Sequence, residues 1–567
     1  MTYLRTLVAA VALLSGQALA QHAPDLADPI KVDDQLLAVP TPAQAAWQDL
    51  EVGMFIHIAP QTWQDHESDD LSTPLSSINP EKLDTDQWAR VAKSMGAKYV
   101  VFVAKHEGGF CWWQTDTTDF SVKNTPWRGG KGDVLAELSK SCREQGLKLG
   151  VYLSPQDKKH GISAGGKATD PAKQADYEKL FREQLTEVLT RYGDMCEVWF
   201  DGSLVFDVGD ILAAHAKGAA IFQGPHATIR WAGNEDGIVP WQTCNAVKSG
   251  TKKWGDYTAA DSNISGDRWL PCECDARIRA TWFWQTGNQN TLKSVPLLMA
   301  MYQQSVGFSA GMLLNNTPDR TGLIPEADAK RAAEFGAEVS RIYDHPIAQA
   351  GGKGRELTLR LPAPTTIDRI VIMEDITQGE RIRSYELEAM IGNEWQPLGG
   401  GELVGHKRIV ACAPRTVEAI RLHVTGSVGD PIIRSLAVFS TGAPAPPPPA
   451  LYPPNNSAYE LTWSDEFDGQ TLDPTKWSHY APGKRRDATN VPEAVTLDGE
   501  GHLLITTTRE IIDDAAAPEG HRGEVKTGMI STQGLFETTY GYFECCMKMQ
   551  TCSGHWSAFW ITTPTMG

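Results

Sequence analysis

The chain has 567 residues, 41% hydrophobic and 22% charged, with a formal net charge of −18. That length exceeds what one hydrophobic core organises and suits roughly three or four domains. An acidic chain of pI ≈ 5.3 is repelled by phosphate backbones and anionic membranes, which argues against nucleic-acid and membrane-surface partners but leaves neutral glycans open.

In chain order, residues 1–20 read as a secretory signal peptide: a basic start at Arg5, an apolar run from Thr6 to Leu14, and an Ala18-Leu19-Ala20 end. The run is too short to span a membrane, and no later segment is long and apolar enough. The expected product begins near Gln21 and is exported, to the periplasm or beyond the cell. Ten cysteines in an oxidising compartment permit disulfides without dictating their pairing. Cys272 and Cys274 flank Glu273 and Cys545 adjoins Cys546, but neither arrangement has zinc-site spacing, so no metal or other cofactor is expected.

From Gln48 to Pro346 strands and helices alternate. Leu50–Ile58, Lys98–Lys105, Leu147–Pro155, Glu197–Asp201 and Ala219–Gln223 are apolar runs of the buried-strand type. Between them lie amphipathic helices. One carries Trp88, Val91, Ala92 and Met95 behind Asp84 and Thr85; another runs from Asp133 to Gly146; a third holds Tyr177, Leu180, Phe181, Val188 and Tyr192 and stops at Gly193. This alternation predicts a (β/α)8-like barrel over residues 21–347. His57, His106, Tyr152 and Asp201 fall at the C-terminal ends of its strands, where such a fold gathers its site. Asp201 and Glu273 each sit in an aromatic-rich stretch. Ring faces pack on sugar C–H surfaces, and low polarity raises the pKa of a carboxyl that must donate a proton.

Past Pro346 the pattern changes to short alternating strands, Leu357–Leu361, Arg369–Met373, Tyr385–Met390 and Ala419–Val424, predicting a β-sandwich over 348–441. A proline-rich linker at 442–457 acts as a semi-rigid spacer. A third, strand-patterned unit fills 458–567.

The first unit resembles glycoside hydrolase family 29, the α-L-fucosidases. The resemblance rests on Met54–His57, Ala104–Cys111, Leu149–Pro155, Glu197–Gly202, Trp269–Trp284, Leu313–Pro318 and Thr321–Ile324. It implies a retaining double displacement with Asp201 as nucleophile and Glu273 as general acid/base, and carboxyls roughly 5–5.5 Å apart. It also implies that His57, Glu67 and His106 hold sugar hydroxyls, with Tyr152 and Trp282 as pocket walls. Two positions depart from the family pattern of His-His-Asp-Gly-Phe and Glu-Trp. Here they read His106-Glu107-Gly108-Gly109-Phe110 and Glu67-Ser68. A more polar pocket suits L-galactose, which is L-fucose with a hydroxyl on C6.

The sandwich resembles a discoidin-like domain, with a buttressing role favoured because Trp395 is its one tryptophan. The third unit resembles the start of a glycoside hydrolase family 16 domain, an incomplete β-jelly-roll. This rests on Trp463–Gly469, Leu472–Trp477, Tyr540–Glu544 and Gly554–Trp560. That family's catalytic Glu-x-Asp-x-x-Glu strand is missing, so the chain is expected to be part of a longer bifunctional enzyme. The combined expectation is an exported exo-glycosidase that removes terminal α-L-fucosyl residues from glycans or polysaccharides. Two rivals are an α-L-galactosidase acting on red-algal-type galactan and a catalytically inactive glycan-binding protein.

Overall fold

A computed structural model describes residues 24–240, 242–442, 461–480, 482–485, 488–509 and 524–538, with 543, 545–548 and 557–561. The expected signal peptide, almost all of the proline-rich linker, and, of the family 16 resemblance, Gly554–Trp556 and all of Tyr540–Glu544 but Phe543 lie outside the described residues. Residues up to Pro446 form one compact unit and those after it a second.

Eight parallel strands build the first unit: β1 (Val52–Ile56), β2 (Tyr99–Lys105), β3 (Lys148–Leu153), β4 (Met195–Trp199), β5 (Ala220–Phe222), β6 (Arg230–Trp231), β7 (Cys272–Arg277) and β8 (Gly311–Asn315). Their spatial order is β6-β7-β8-β1-β2-β3-β4-β5. A parallel bridge from Phe222 to Ile229 nearly closes the ring. The first five strands coincide with the apolar runs. Buried on both faces, they carry no alternation. The two-residue β6 is too short for any periodicity to announce it.

Helices cover the outside as the capping residues require. Asp84 accepts from the amides of Asp86 and Gln87 at the start of helix Thr85–Ser94. Asp133 caps helix Val134–Gln145, and Gly146 ends it with φ 71°. Inside the ring, Phe55, Tyr99, Val101, Tyr152, Trp199, Phe222 and Leu313 form a packed core.

The segment after Pro346 forms a six-stranded antiparallel sheet: β9 (Ala348–Lys353), β10 (Glu356–Glu374), β11 (Ile382–Ile391), β12 (Glu394–Gly401), β13 (Arg408–Ser427) and β14 (Ile432–Phe439), in the order β9-β14-β10-β13-β11-β12. Two runs expected as separate strands, Leu357–Leu361 and Arg369–Met373, are one long strand. Its pairing slips between Arg360 and Thr365, so Pro362 and Pro364 occupy an unpaired bulge instead of ending the strand. Ile367, Ile370, Leu387, Ile420 and Leu436 fill this sheet's own core. Val371, Ile409, Ala437 and Phe439 instead join the barrel's outer core, so the sheet buttresses the barrel. In the second unit the described strands are two or three residues long. Trp463 packs edge-on to Trp477 at 5.2 Å and stacks on Phe536 at 5.6 Å.

An ionic contact joins barrel and sheet. Asp49 accepts from His406 Nε2 at 2.8 Å and from Arg434 Nη1. The His406 hydrogen bond, against burial and with help from Arg434, lowers the Asp49 carboxyl to about 2. A depressed carboxyl stabilises the fold above its ordinary value and loses that contribution as pH falls toward about 2. Asp49→Asn should therefore cost about 1 kcal/mol or less at pH 7, because the pair is half exposed. The deficit should shrink below about pH 4 and vanish only as pH falls through about 2 in urea unfolding; an equal deficit at pH 7 and pH 2 would assign the effect to packing.

Candidate active site

Asp201 lies two residues beyond β4 and opens to solvent at the C-terminal mouth of the barrel. Tyr152, from β3, donates its hydroxyl to Asp201 Oδ2 at 2.9 Å. The surrounding walls push the Asp201 carboxyl up, the Tyr152 hydrogen bond opposes this, and the charges of Glu235 and Glu107 push it further up. Tyr152 is held on both faces. It stacks on His106 at 5.6 Å and 10° and on Trp199 at 5.7 Å and 22°.

His57 and His106 converge on the same mouth, their rings 5.9 Å apart. The Asn315 amide donates to the Trp282 carbonyl at 2.9 Å, which turns its oxygen toward His57 Nδ1 at 2.8 Å. Nδ1 is thus the donor, and Nε2 is left as an acceptor. Burial holds both imidazoles neutral. His57 lies well below its ordinary value, chiefly through burial and with the Asn315 hydrogen bond opposing, and burial lowers His106 to about 3, with the Lys158 charge adding. Trp282 tilts over His57 at 5.0 Å and donates its indole N–H to Glu235 Oε2 at 3.1 Å. Glu235 is exposed on the loop after β6. Two carboxyls, two neutral imidazoles, a phenol and an indole therefore surround one opening, a set of groups suited to acid/base work on a sugar.

Glu273 is not among them. It is the second residue of β7 and wholly buried. Its Oε1 accepts from Tyr99 Oη at 2.9 Å and its Oε2 from Trp199 Nε1 at 2.8 Å. Glu197 lies beside it and accepts from Trp47 Nε1 at 2.8 Å. Burial pushes both carboxyls up, and the Glu273 charge pushes Glu197 further. A carboxyl walled off by tyrosine and tryptophan cannot hand a proton to a glycosidic oxygen at the mouth, so the expected acid/base role of Glu273 is corrected. Alternate residues of a strand share a face, so Glu273, Asp275 and Arg277 climb the barrel in successive layers, and only Arg277 reaches the rim.

The sequence profile described as α-L-fucosidase matches residues 64–341. α-L-Fucosidase 1 of Arabidopsis thaliana is 32% identical over 456 residues, covering 71% of this chain and 88% of that protein. The chain belongs to the α-L-fucosidase family of glycoside hydrolases. Among solved structures, SpGH29 superposes with a TM-score of 0.66 at 28% identity, over 73% of this chain and 99% of the other. A glycoside hydrolase family 29 fucosidase of Ruminococcus gnavus in complex with fucose does so with a TM-score of 0.64 at 27% identity, over 75% and 98%. As a family member the chain is an α-L-fucosidase-type hydrolase.

Other expected site residues serve the walls of this fucosidase-type pocket. Glu67 accepts from the Trp282 amide at 2.9 Å, the Phe283 amide at 3.3 Å and Gln285 Nε2 at 3.3 Å. It anchors the loop that carries Trp282. The two positions that depart from the family pattern meet each other: Ser68 Oγ donates to Glu107 Oε1 at 2.9 Å, and Lys158 Nζ donates to both, at 2.6 and 2.7 Å. Glu235 was missed by sequence reasoning. Its one local signal is an acidic residue four positions after Trp231, at the end of a strand too short to be recognised.

The hydrogen bond from Tyr152 lowers the Asp201 carboxyl, so Tyr152→Phe should move the acid limb of glycoside hydrolysis to higher pH. The fall in kcat/KM should be about 10-fold; an unmoved limb would detach Tyr152 from Asp201. Glu273→Ala should destabilise the protein by about 2–4 kcal/mol, because it strands two buried donors. Glu273→Gln, whose amide can face a Tyr99 hydroxyl that accepts as well as donates, should fold and keep activity within about threefold. A folded Glu273→Gln variant without activity would restore Glu273 to the chemistry.

Proposed function

We propose that this protein is a retaining exo-acting α-L-fucosidase in which Asp201 is the nucleophile and Glu235 the general acid/base. The observation that carries this reading is the placement of both carboxyls at one mouth. Asp201 is held by Tyr152 and Glu235 by Trp282, and the His57 ring lies against both holders, 6.1 Å from Tyr152 and 5.0 Å from Trp282.

In the first step an Asp201 oxygen bonds to the anomeric carbon and the bond from that carbon to the leaving oxygen breaks. Glu235 gives its proton to that oxygen. In the second step Glu235 takes a proton from water, the resulting hydroxyl bonds to the anomeric carbon, and Asp201 leaves as carboxylate. His57 Nε2 accepts a sugar hydroxyl and His106 binds another. Trp282 packs on the sugar's apolar face. Because the histidines stay neutral, they order hydroxyls without competing with Asp201 for the developing positive charge.

The polar, hydrogen-bonded Ser68–Glu107–Lys158 group, next to His106 in the chain, supports a second reading, L-galactose in α-linkage. The basic, apolar, Ala-x-Ala beginning of the chain supports export. The six-stranded sheet fits a discoidin-like buttress, and the Trp463–Gly469 stretch fits a family 16 glycanase unit, so the chain would trim side groups while the second unit's family acts on a β-linked backbone.

Asp201→Ala should abolish turnover of aryl α-L-fucoside and α-L-galactoside alike, and the better of the two in the native protein identifies the sugar. Glu235→Ala should lose roughly 100-fold or more on sugar-linked substrates, lose far less on aryl glycosides with acidic phenols, and recover with azide. Equal losses on both would remove Glu235 from the acid/base role. Product with inverted anomeric configuration, read by proton NMR at early times, would remove the retaining mechanism.

A further inference from the structure

Arg277 is the last residue of β7 and the only layer of that strand's inward face to reach the rim. Its Nη1 lies 3.4 Å from Glu235 Oε2, the same oxygen that accepts from Trp282 Nε1 at 3.1 Å. Its guanidinium stands over the Trp282 ring at 5.4 Å from the centroid. Lys293 Nζ donates to the Arg277 carbonyl at 2.6 Å, which fixes the backbone beneath it. The Arg277 Nε is buried and without a partner, while Nη1 at the far end of the guanidinium faces Glu235.

The loop bearing Glu235 is pinned to the same strand. Asp236 bridges Ala276, the residue before Arg277. The Asp236 amide donates to Asn234 Oδ1 at 3.0 Å, and Asn234 Nδ2 donates to the Ile238 carbonyl at 3.1 Å. Gly237, at φ +74°, lies so close to this strand that a Cβ there would meet the Ala276 Cβ at 2.9 Å. Loop and strand thus bring Glu235 and Arg277 together through the backbone as well as through their side chains.

We propose that Arg277 is a positioning residue for the acid/base carboxyl. Together with the Trp282 indole it engages Oε2 of Glu235, leaving Oε1 as the oxygen that exchanges a proton with the leaving group and then with water. A planar fork resting on an aromatic face holds one orientation, whereas a lone indole N–H leaves the carboxylate free to rotate. The inference rests on Glu235 being the acid/base group.

The test uses the full chain and a series of α-L-fucosides whose leaving groups run from acidic phenols to a sugar hydroxyl. Arg277→Met should lose roughly 10- to 100-fold in kcat/KM on the sugar-linked substrate and about threefold or less on the most acidic phenol. Inhibition by free L-fucose should stay unchanged. Arg277→Lys should recover part of the loss by restoring charge without the fork, and adding Arg277→Met to Glu235→Ala should cost little more than Glu235→Ala alone. A uniform loss across the series, or none, in a variant with native circular dichroism would overturn the proposal. If Glu235→Ala itself shows no dependence on the leaving group, the Glu235 reading fails first. A leaving-group split in Glu235→Ala but none in Arg277→Met overturns Arg277 alone.

Discussion

The hydrogen bond from Trp199 Nε1 to Glu273 Oε2, 2.8 Å long, is the constraint on which the mouth of the barrel depends. A buried carboxyl costs several kcal/mol unless its lone pairs are met, and Trp199 and Tyr99 meet those of Glu273 from two other strands. With its N–H committed downward, the Trp199 ring stands in one orientation. It lies flat on Phe222 at 3.6 Å and 4°, with Phe55 edge-on at 5.1 Å. Tyr152 stacks on that ring and delivers its hydroxyl to Asp201. The order at the surface is inherited from a polar contact at the floor. Gly53 makes room for it, since a Cβ there would fall 2.3 Å from Tyr99 Cζ and displace the ring that reaches Glu273.

The same arrangement divides five barrel carboxyls between two tasks. Glu197, Glu273 and Asp275 are buried and bonded to tryptophan or tyrosine N–H and O–H groups; they tie strands together across the interior. Asp201 and Glu235 sit beyond strand ends and meet solvent. Burial acts on the lower three with nothing to gain chemically. Above them, partial enclosure pushes the Asp201 carboxyl up, Tyr152 favours its ionised form, and the Glu235 charge pushes it further up. Neutral histidines between them contribute hydrogen-bonding direction and no net charge.

Much of this was legible in the residues alone. The barrel followed from apolar runs alternating with capped amphipathic helices, and Asp84, Asp133 and Gly146 ended their helices where side-chain chemistry requires. Asp201, Tyr152, His57 and His106 were placed at the mouth because long, buried strands announce their own C-terminal ends. Glu273 was misplaced because aromatic neighbours mark low polarity without saying whether it belongs to a pocket wall or a sealed interior. Glu67, read as a sugar contact, accepts from the loop that carries Trp282, and the two departures from the family pattern, Ser68 and Glu107, meet each other and Lys158.

What the sequence by itself determined was the kind of fold, the family and the position of Asp201 at the mouth of the barrel, because these depend on local periodicity, caps and contiguous motifs. What only the tertiary structure decided was that Glu235 stands at the same mouth as Asp201, and what supports each of them. Glu235 follows a strand of two residues, and Arg277, Trp282 and Tyr152 come to the site from other strands and loops. Depth within a barrel is set by the stagger between neighbouring strands, and stagger is a relation between segments that no single segment encodes.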